Sequence, residues 1–236
     1  MTKFSIFGLE IIASASPEEL ASQLINANSR YAVSLNPEII SAAFQNSEYR
    51  HTIERADNIF ADGAGIVWAV RRKYSARIAR VPGCEVWEEL MRIAYQKSLP
   101  VYLIGSSSST VAATVNKLRE NIGTPICGFR DGYFAESELD PICQEIAKLA
   151  PRIVTVALGS PRQDFFIEHC RQTHPECLYL GVGGTFDAYT GHVKRAPEIW
   201  QKLNLEWLFR VVMQPSRIKR QGARLRFAVA VLTGLF

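Results

Sequence analysis

Short, uninterrupted apolar runs recur along the first 185 residues, and most are followed by a turn signal and a stretch of helical periodicity. YAVSL (31–35), NIFA (58–61), VYLIG (101–105), TPICGF (124–129), IVTVALG (153–159) and CLYLGVGG (177–184) carry apolar residues at consecutive rather than alternate positions. That is the pattern of strands covered on both faces, as in a parallel sheet. Helix starts are legible between them. Ser16, Pro17 and Glu19 combine an N-cap, a proline at the first helical position and a capping-box acid. Asn36 and Pro37 open a second helix in a similar way. DGAGIVWAVRRK, CEVWEELMRIAYQK, SSTVAATVNKLREN, ELDPICQEIAKLA and PRQDFFIEHCRQ supply the next ones. Strand, turn and helix in repetition predict the α/β class: a Rossmann-like, mostly parallel sheet sandwiched by helices.

Near residue 194 the pattern changes. APEIWQKLNLEWLFRVVMQ is helical and aromatic, Pro215 interrupts it, and a fresh helix is expected from Pro215 or Ser216. In that helix Arg217, Arg220 and Arg224 share one face, while Ile218, Leu225 and Val229 fall opposite, available for packing. Residues 1–194 are therefore expected to form the α/β domain and residues 195–236 a C-terminal helical appendage.

Charge sharpens this division. The net charge of +4 over 236 residues is ordinary, but from Gly191 onward nine Lys or Arg stand against two acids. Residues 214–226 carry Arg217, Lys219, Arg220, Arg224 and Arg226 and no carboxylate. Such a tail suggests a polyanionic partner: nucleic acid, an anionic membrane surface or a phosphorylated ligand. No apolar stretch approaches the ~20 residues that span a bilayer. The closing FAVAVLTGLF is half that length, enough to lie on a membrane but not to cross it. The N-terminal apolar run is broken by Glu10, which argues against a signal peptide. Five scattered cysteines without CxxC spacing fit neither a disulfide framework nor a zinc site, and suit a reducing compartment.

In an open parallel sheet, ligands bind at the C-terminal ends of the strands, where helix N-termini attract anions. Four such ends carry suggestive residues: Ser34 and Asn36 in SLNPEI, Asp62 in FADGAG, Gly105 in LIGSSSS, and Gly159, Ser160 and Gln163 in ALGSPRQD. On pattern alone Asn36 is more readily a helix cap than a catalytic group, and for Asp62 the two readings balance. Neither GxxxxGK[ST] nor GxGxxG is present, which disfavours a P-loop or a standard dinucleotide site. His51, His169, His174 and His192 show no metal-ligand spacing, so no metal or cofactor is expected. Two other classes stay open: a basic-tailed nucleic-acid-binding protein, which tight, salt-sensitive binding of duplex DNA or RNA would reveal, and a Rossmann oxidoreductase, which NADH titration would reveal.

ADGAGIVWAVRRK, RVPGCEVWEELM, GFRDGYF, VTVALGSPRQDFF, YLGVGGTFDAYTGHVKRAPEIWQKLNLEWLFR and QPSRIKRQ, in this order, resemble the WecG/TagA/CpsF family of bacterial glycosyltransferases. Residues 176–221 are most similar to the enterobacterial branch that transfers N-acetylmannosaminuronic acid. The resemblance implies a metal-independent, inverting transferase at the cytoplasmic face of the inner membrane. Its donor would be a UDP-sugar and its acceptor N-acetylglucosaminyl-diphospho-undecaprenol, as in enterobacterial common antigen synthesis. Other branches imply UDP-N-acetylmannosamine or UDP-glucose as donor. Asp62 then corresponds to the family's proposed base, Ser34 and Asn36 to its active-site Thr/Ser and Asn, Arg80 to the Arg before the V-x-G turn, and Gln163 to the Gln of GSPxQ. Gly105, Gly159, Ser160, Gly183 and Asp187 are expected near the donor. Arg210, Arg217 and Arg220 match appendage arginines, to which helical phase adds Arg224, as ligands of the acceptor diphosphate. Arg130 and Lys194 are candidates for a donor carboxylate, VPG replaces the commoner VAG, and the chain could also form a homo-oligomer.

Overall fold

The computed structural model describes residues 2–193, 196–197, 199–200, 206–213 and 221–235, with no side-chain description at 206 and 210. The strands are β1 (Lys3–Ile6), β2 (Leu9–Ile12), β3 (Tyr31–Leu35), β4 (Asn58–Ala61), β5 (Val101–Gly105), β6 (Ile126–Arg130), β7 (Ile153–Ala157) and β8 (Leu178–Gly181). They form one sheet in the order β1-β2-β4-β3-β8-β7-β5-β6. Every pairing is parallel except β1 with β2. That exception is a hairpin that the apolar pattern did not predict. Its strands have four residues each, and they turn through Phe7 and Gly8, both left-handed (φ 55° and 79°). A two-residue turn with both residues at positive φ matches the twist of antiparallel strands.

Helices cover both faces. The first layer holds α2 (Pro37–Gln45), α3 (Ser47–Glu54), α4 (Ala64–Tyr74), α7 (Leu139–Leu149), α8 (Arg162–Thr173) and α11 (Gln221–Leu232). Ile40, Tyr49, Ile66, Ile146, Phe166 and Phe227 there share one core. The second layer holds α1 (Pro17–Asn26), α5 (Gly83–Gln96), α6 (Ser108–Asn121) and α9 (Thr185–Thr190), whose Leu20, Trp87, Val115 and Phe186 pack on the other face. Neighbouring strands β3 and β8 thus send their following helices to opposite faces: α2 to the first layer and α9 to the second. The resulting crevice at their C-terminal ends is a topological switch point, where ligands bind in folds of this kind.

The appendage meets the first layer. On α11, Phe227 and Val231 are buried, one helical turn apart, against α2 and α4. Gly65 leaves room for this: a Cβ there would lie 2.8 Å from Pro37 and 3.1 Å from Phe227. The sequence had assigned packing to Ile218, Leu225 and Val229; Ile218 lies outside the described residues, and for the other two the assignment is corrected. They are 68 % and 51 % exposed, and with Leu232 at 60 % they form an outward apolar stripe. An aromatic ring fills the groove between two helices better than the smaller aliphatics, so the helix is turned to seat Phe227. The short α10 (Glu206–Met213) lies alongside, with the Arg224 guanidinium 5.0 Å from the centre of the Trp207 ring.

Candidate active site

Ser34 and Asp62, 28 residues apart in sequence, meet because β3 and β4 are neighbours in register, Leu35 opposite Ala61. The Ser34 hydroxyl donates to Asp62 Oδ2 at 2.8 Å. A third segment closes on this pair from the second layer. Gly83, the first residue of α5, comes so near that a Cβ there would sit 2.5 Å from Ser34 Oγ and 3.7 Å from Asp62 Oδ2. The Val81 N–H donates to the Ala61 carbonyl at 2.9 Å, which brings Arg80, half-buried, alongside the end of β4. The N-terminus of α5 thus lies beside the Ser34–Asp62 pair. Gly83→Ala should push Ser34 off Asp62. Overpacking of this kind costs about 1–3 kcal/mol, readable as a lowered melting temperature, and turnover should fall with it.

Asn36 and Asp62 stand differently toward the helices that follow them. Asn36 is a cap: its Oδ1 accepts from the Glu38 and Ile39 N–H groups at 2.9 and 3.1 Å. Asp62 stands one residue before the N-cap position of α4. Gly63 is the N-cap of α4 and makes no side-chain cap bond.

Along the crevice the remaining strand ends present small residues. Gly105 closes β5 at φ 125°, and a Cβ there would lie 2.4 Å from the Ala157 carbonyl oxygen, so only glycine fits between β5 and β7. Gly159 (φ 74°) and Gly183 (φ 52°) face open space. Asp187, in the first turn of α9, accepts from Ser106 Oγ at 3.2 Å and from Thr110 Oγ1 at 3.4 Å. Ser106 is left-handed (φ 56°), an uncommon conformation for a residue with a side chain, and is held there by the Ala157 carbonyl and the Gly132 N–H. Gln163 has a different setting from the substrate-facing one expected. It is 5 % exposed, its Nε2 donates to Ser160 Oγ at 3.1 Å, and its Oε1 accepts from the Gly183 N–H at 3.0 Å. Its amide ties the β7 loop to the β8 loop.

Two features escaped the sequence reading. Asp164, beside Gln163, is 2 % exposed and accepts from the Tyr31 and Tyr49 hydroxyls at 2.9 Å each. Burial raises its carboxyl above the ordinary Asp range, against the opposing pull of the Ser160, Tyr31 and Tyr49 hydroxyls. Tyr133 stands 79 % exposed on the loop after β6. Asp131 anchors that loop by accepting from Ser108 Oγ and from the Tyr133 N–H, contacts that in this order of weight hold its carboxyl below the usual range. The GFRDGYF block would have pointed to this loop, but nothing in the sequence marks Asp164 as buried.

Of the basic residues, Arg130 pairs with Glu138. Arg224, expected to meet the acceptor, instead forms a half-buried ion pair with Glu38 at 2.8 Å and stacks on Trp207. In this arrangement it docks α11 onto α2. The reason is helical phase: turning Phe227 inward carries Arg224 toward α2. Arg217, Arg220, Lys194 and the Arg210 side chain lie outside the described residues.

The protein is thus a Rossmann-like α/β sheet covered by helices on both faces, with the Ser34–Asp62 pair at the C-terminal ends of β3 and β4. The model of the glycosyl transferase WecG/TagA/CpsF family matches residues 4–236. The chain belongs to this family and is a glycosyltransferase, which implies in general terms a nucleotide-sugar donor and a lipid-linked acceptor.

Proposed function

We propose that the protein is an inverting, metal-independent transferase. It moves N-acetylmannosaminuronic acid from its UDP donor to N-acetylglucosaminyl-diphospho-undecaprenol, at the inner face of a membrane, in enterobacterial common antigen synthesis. The observation that carries this reading is the Ser34–Asp62 pair at the C-terminal ends of β3 and β4, one strand from the switch point. The order of strand ends supports a linear layout of the donor. From β6 to β4 there are five interstrand steps of about 4.8 Å, roughly 24 Å in all. Tyr133 stands where a base can stack, Gly105 and Asp187 flank the nucleoside, Gly159, Ser160 and Gly183 line the diphosphate seat, and Asp62 reaches the sugar.

In the transfer, the acceptor hydroxyl oxygen attacks the anomeric carbon from the face opposite the leaving group. The bond from that carbon to the β-phosphate oxygen breaks, UDP departs with the electron pair, and Asp62 takes the hydroxyl proton. Ser34 orients the carboxylate. The leaving diphosphate meets loop N–H groups and the positive end of α8, with Arg80 as the nearby cation. Asn36 has its carbonyl oxygen on the α2 cap, so its contribution falls to the amide nitrogen.

No helix among the described residues is long and apolar enough to cross a membrane. Membrane contact is assigned to the outward stripe Leu225, Val229 and Leu232, joined by the exposed Val212 and Met213 of α10. Replacing the three stripe residues by Glu removes apolar side chains worth about 1.5–3 kcal/mol each when fully buried. Binding to phosphatidylglycerol vesicles should fall at least tenfold with the melting temperature unchanged. Full vesicle binding by this variant would remove α11 from the membrane role.

The decisive assay incubates the protein with a synthetic lipid-linked N-acetylglucosamine diphosphate and a panel of UDP-sugars, with and without EDTA. Transfer from the uronic acid donor, undiminished by EDTA, is expected. Preference for UDP-N-acetylmannosamine or UDP-glucose would move the protein to another branch of the family, and loss of transfer in EDTA would overturn metal independence.

A further inference from the structure

Residues 63–84 hold Arg71, Arg72, Lys73, Arg77 and Arg80 and no Asp or Glu. The first 190 residues carry 18 Lys or Arg against 21 acids, so with these five set aside 13 basic groups face 21 acidic ones. An acidic body thus gathers positive charge at the end of α4 and in the segment that follows. Lys73 and Tyr74 are used within the fold. Both donate to the Ser5 carbonyl of β1, at 2.9 and 3.0 Å, and fix the end of the helix to the sheet edge. Arg71, Arg72 and Arg77 are exposed and make no ion pair among the described residues. The negative pole of α4 accounts for cations in its last turn, but Arg77 lies beyond the helix, whose C-cap is Ser75.

Helical phase sets where these side chains point. α4 buries Ile66, Ala69 and Val70, so Arg71 and Arg72 fall on the opposite arc, away from the sheet. Ala76 and Ile78 pack against the first-layer core, and Arg77 between them turns outward. The same outer side of the first layer carries α11. That helix contacts α2 and α4, with Phe227 seated over Gly65 of α4, while Leu225, Val229 and Leu232 are exposed on its far side. The three arginines and the apolar stripe therefore face the same way, on helices in direct contact.

We propose that Arg71, Arg72 and Arg77 form an electrostatic contact with the headgroups of an anionic phospholipid bilayer, beside the α11 stripe. This rests on the reading of that stripe as a membrane contact, and extends the contact from the appendage to the α/β domain. A bilayer fits because it offers both phosphates for the guanidinium groups and an apolar layer for Leu225, Val229 and Leu232. Two contacts on different elements fix the tilt of the domain, where a single helix would leave it free to swing.

Replacing all three arginines by Gln tests it. Each cation near an anionic leaflet strengthens binding about fivefold, so affinity for phosphatidylglycerol vesicles at low salt should fall roughly hundredfold. At about 1 M NaCl the difference from wild type should close, because exposed charges are screened there. The control is Arg92→Gln with Lys97→Gln and Arg119→Gln, which removes three exposed charges at α5 and α6 of the opposite layer. It should bind as wild type does. Arg71→Lys with Arg72→Lys and Arg77→Lys keeps the charges and should also bind as wild type. Native affinity in the Gln variant, an equal loss in the control, or an equal loss in the Lys variant each overturns the proposal. So does a loss of duplex DNA binding with vesicle binding intact, which would give the patch to nucleic acid. Wild-type protein that ignores anionic vesicles sinks the membrane reading itself. Loss confined to the variant with Glu at the three stripe positions keeps that reading and removes only the arginine patch.

Discussion

Asp62→Asn should cut turnover by roughly 10²–10⁴-fold, the range that general-base catalysis supplies, while leaving the fold intact. The amide has nearly the shape of the carboxylate and still offers an oxygen to the Ser34 hydroxyl, which lies 2.8 Å from Oδ2 in the native protein. The N-cap residue of α4, Gly63, is unchanged in this variant. What disappears is the ability to accept the acceptor's proton as the new glycosidic bond forms. The check is a single-turnover rate with lipid-linked acceptor at saturating donor, paired with a thermal melt and UDP titration. Near-native turnover in the variant would strip Asp62 of the role. A collapse in melting temperature would instead make it a structural residue of the β3–β4 ends.

Much of this site was legible before any coordinates, because strand termini in a parallel sheet announce themselves. NIFA and VYLIG coincide with β4 and β5, so the residues following them were placed at the crevice at once. The proximity of Ser34 to Asp62 was not readable from pattern; it depends on β4 lying beside β3, a matter of topology. The N-terminal hairpin was missed because four-residue strands split by Phe7-Gly8 give too few positions for a period to show. The packing face of α11 was inverted for a related reason. Its apolar residues surround the helix, so periodicity could not choose between Leu225 and Phe227, and the shape of the α2–α4 groove decided. Asp164 lay beyond reach for a third reason. An acid in a helix reads as solvated, and only the tyrosines brought in from β3 and α3 make its burial possible.

The second large effect is expected in the appendage, and the structure changes how it should be tested. Truncation after Gln214 should abolish transfer, but it also removes Phe227 and Val231 from the core. Burial of such side chains is worth about 1.5–3 kcal/mol each, so a shortened chain would lose stability as well as function. It would also break the Arg224–Glu38 ion pair. Arg217→Ala with Arg220→Ala separates the two effects, because it leaves the Phe227 seat and the Glu38 pair untouched. Guanidinium groups bind phosphate oxygens bidentately, and each charge-assisted hydrogen bond contributes about 1.5–3 kcal/mol. Loss of both cations should therefore lower kcat/KM for the lipid-linked diphosphate acceptor by roughly 10²–10⁴-fold. The Kd for UDP and the melting temperature should hold at wild-type values, because the loops proposed to seat the donor follow β5, β7 and β8 in the α/β body. If the double variant weakens UDP binding as much as acceptor turnover, these arginines serve the donor's diphosphate. If it transfers sugar at the wild-type rate, the concentration of positive charge at this end of the chain has another purpose.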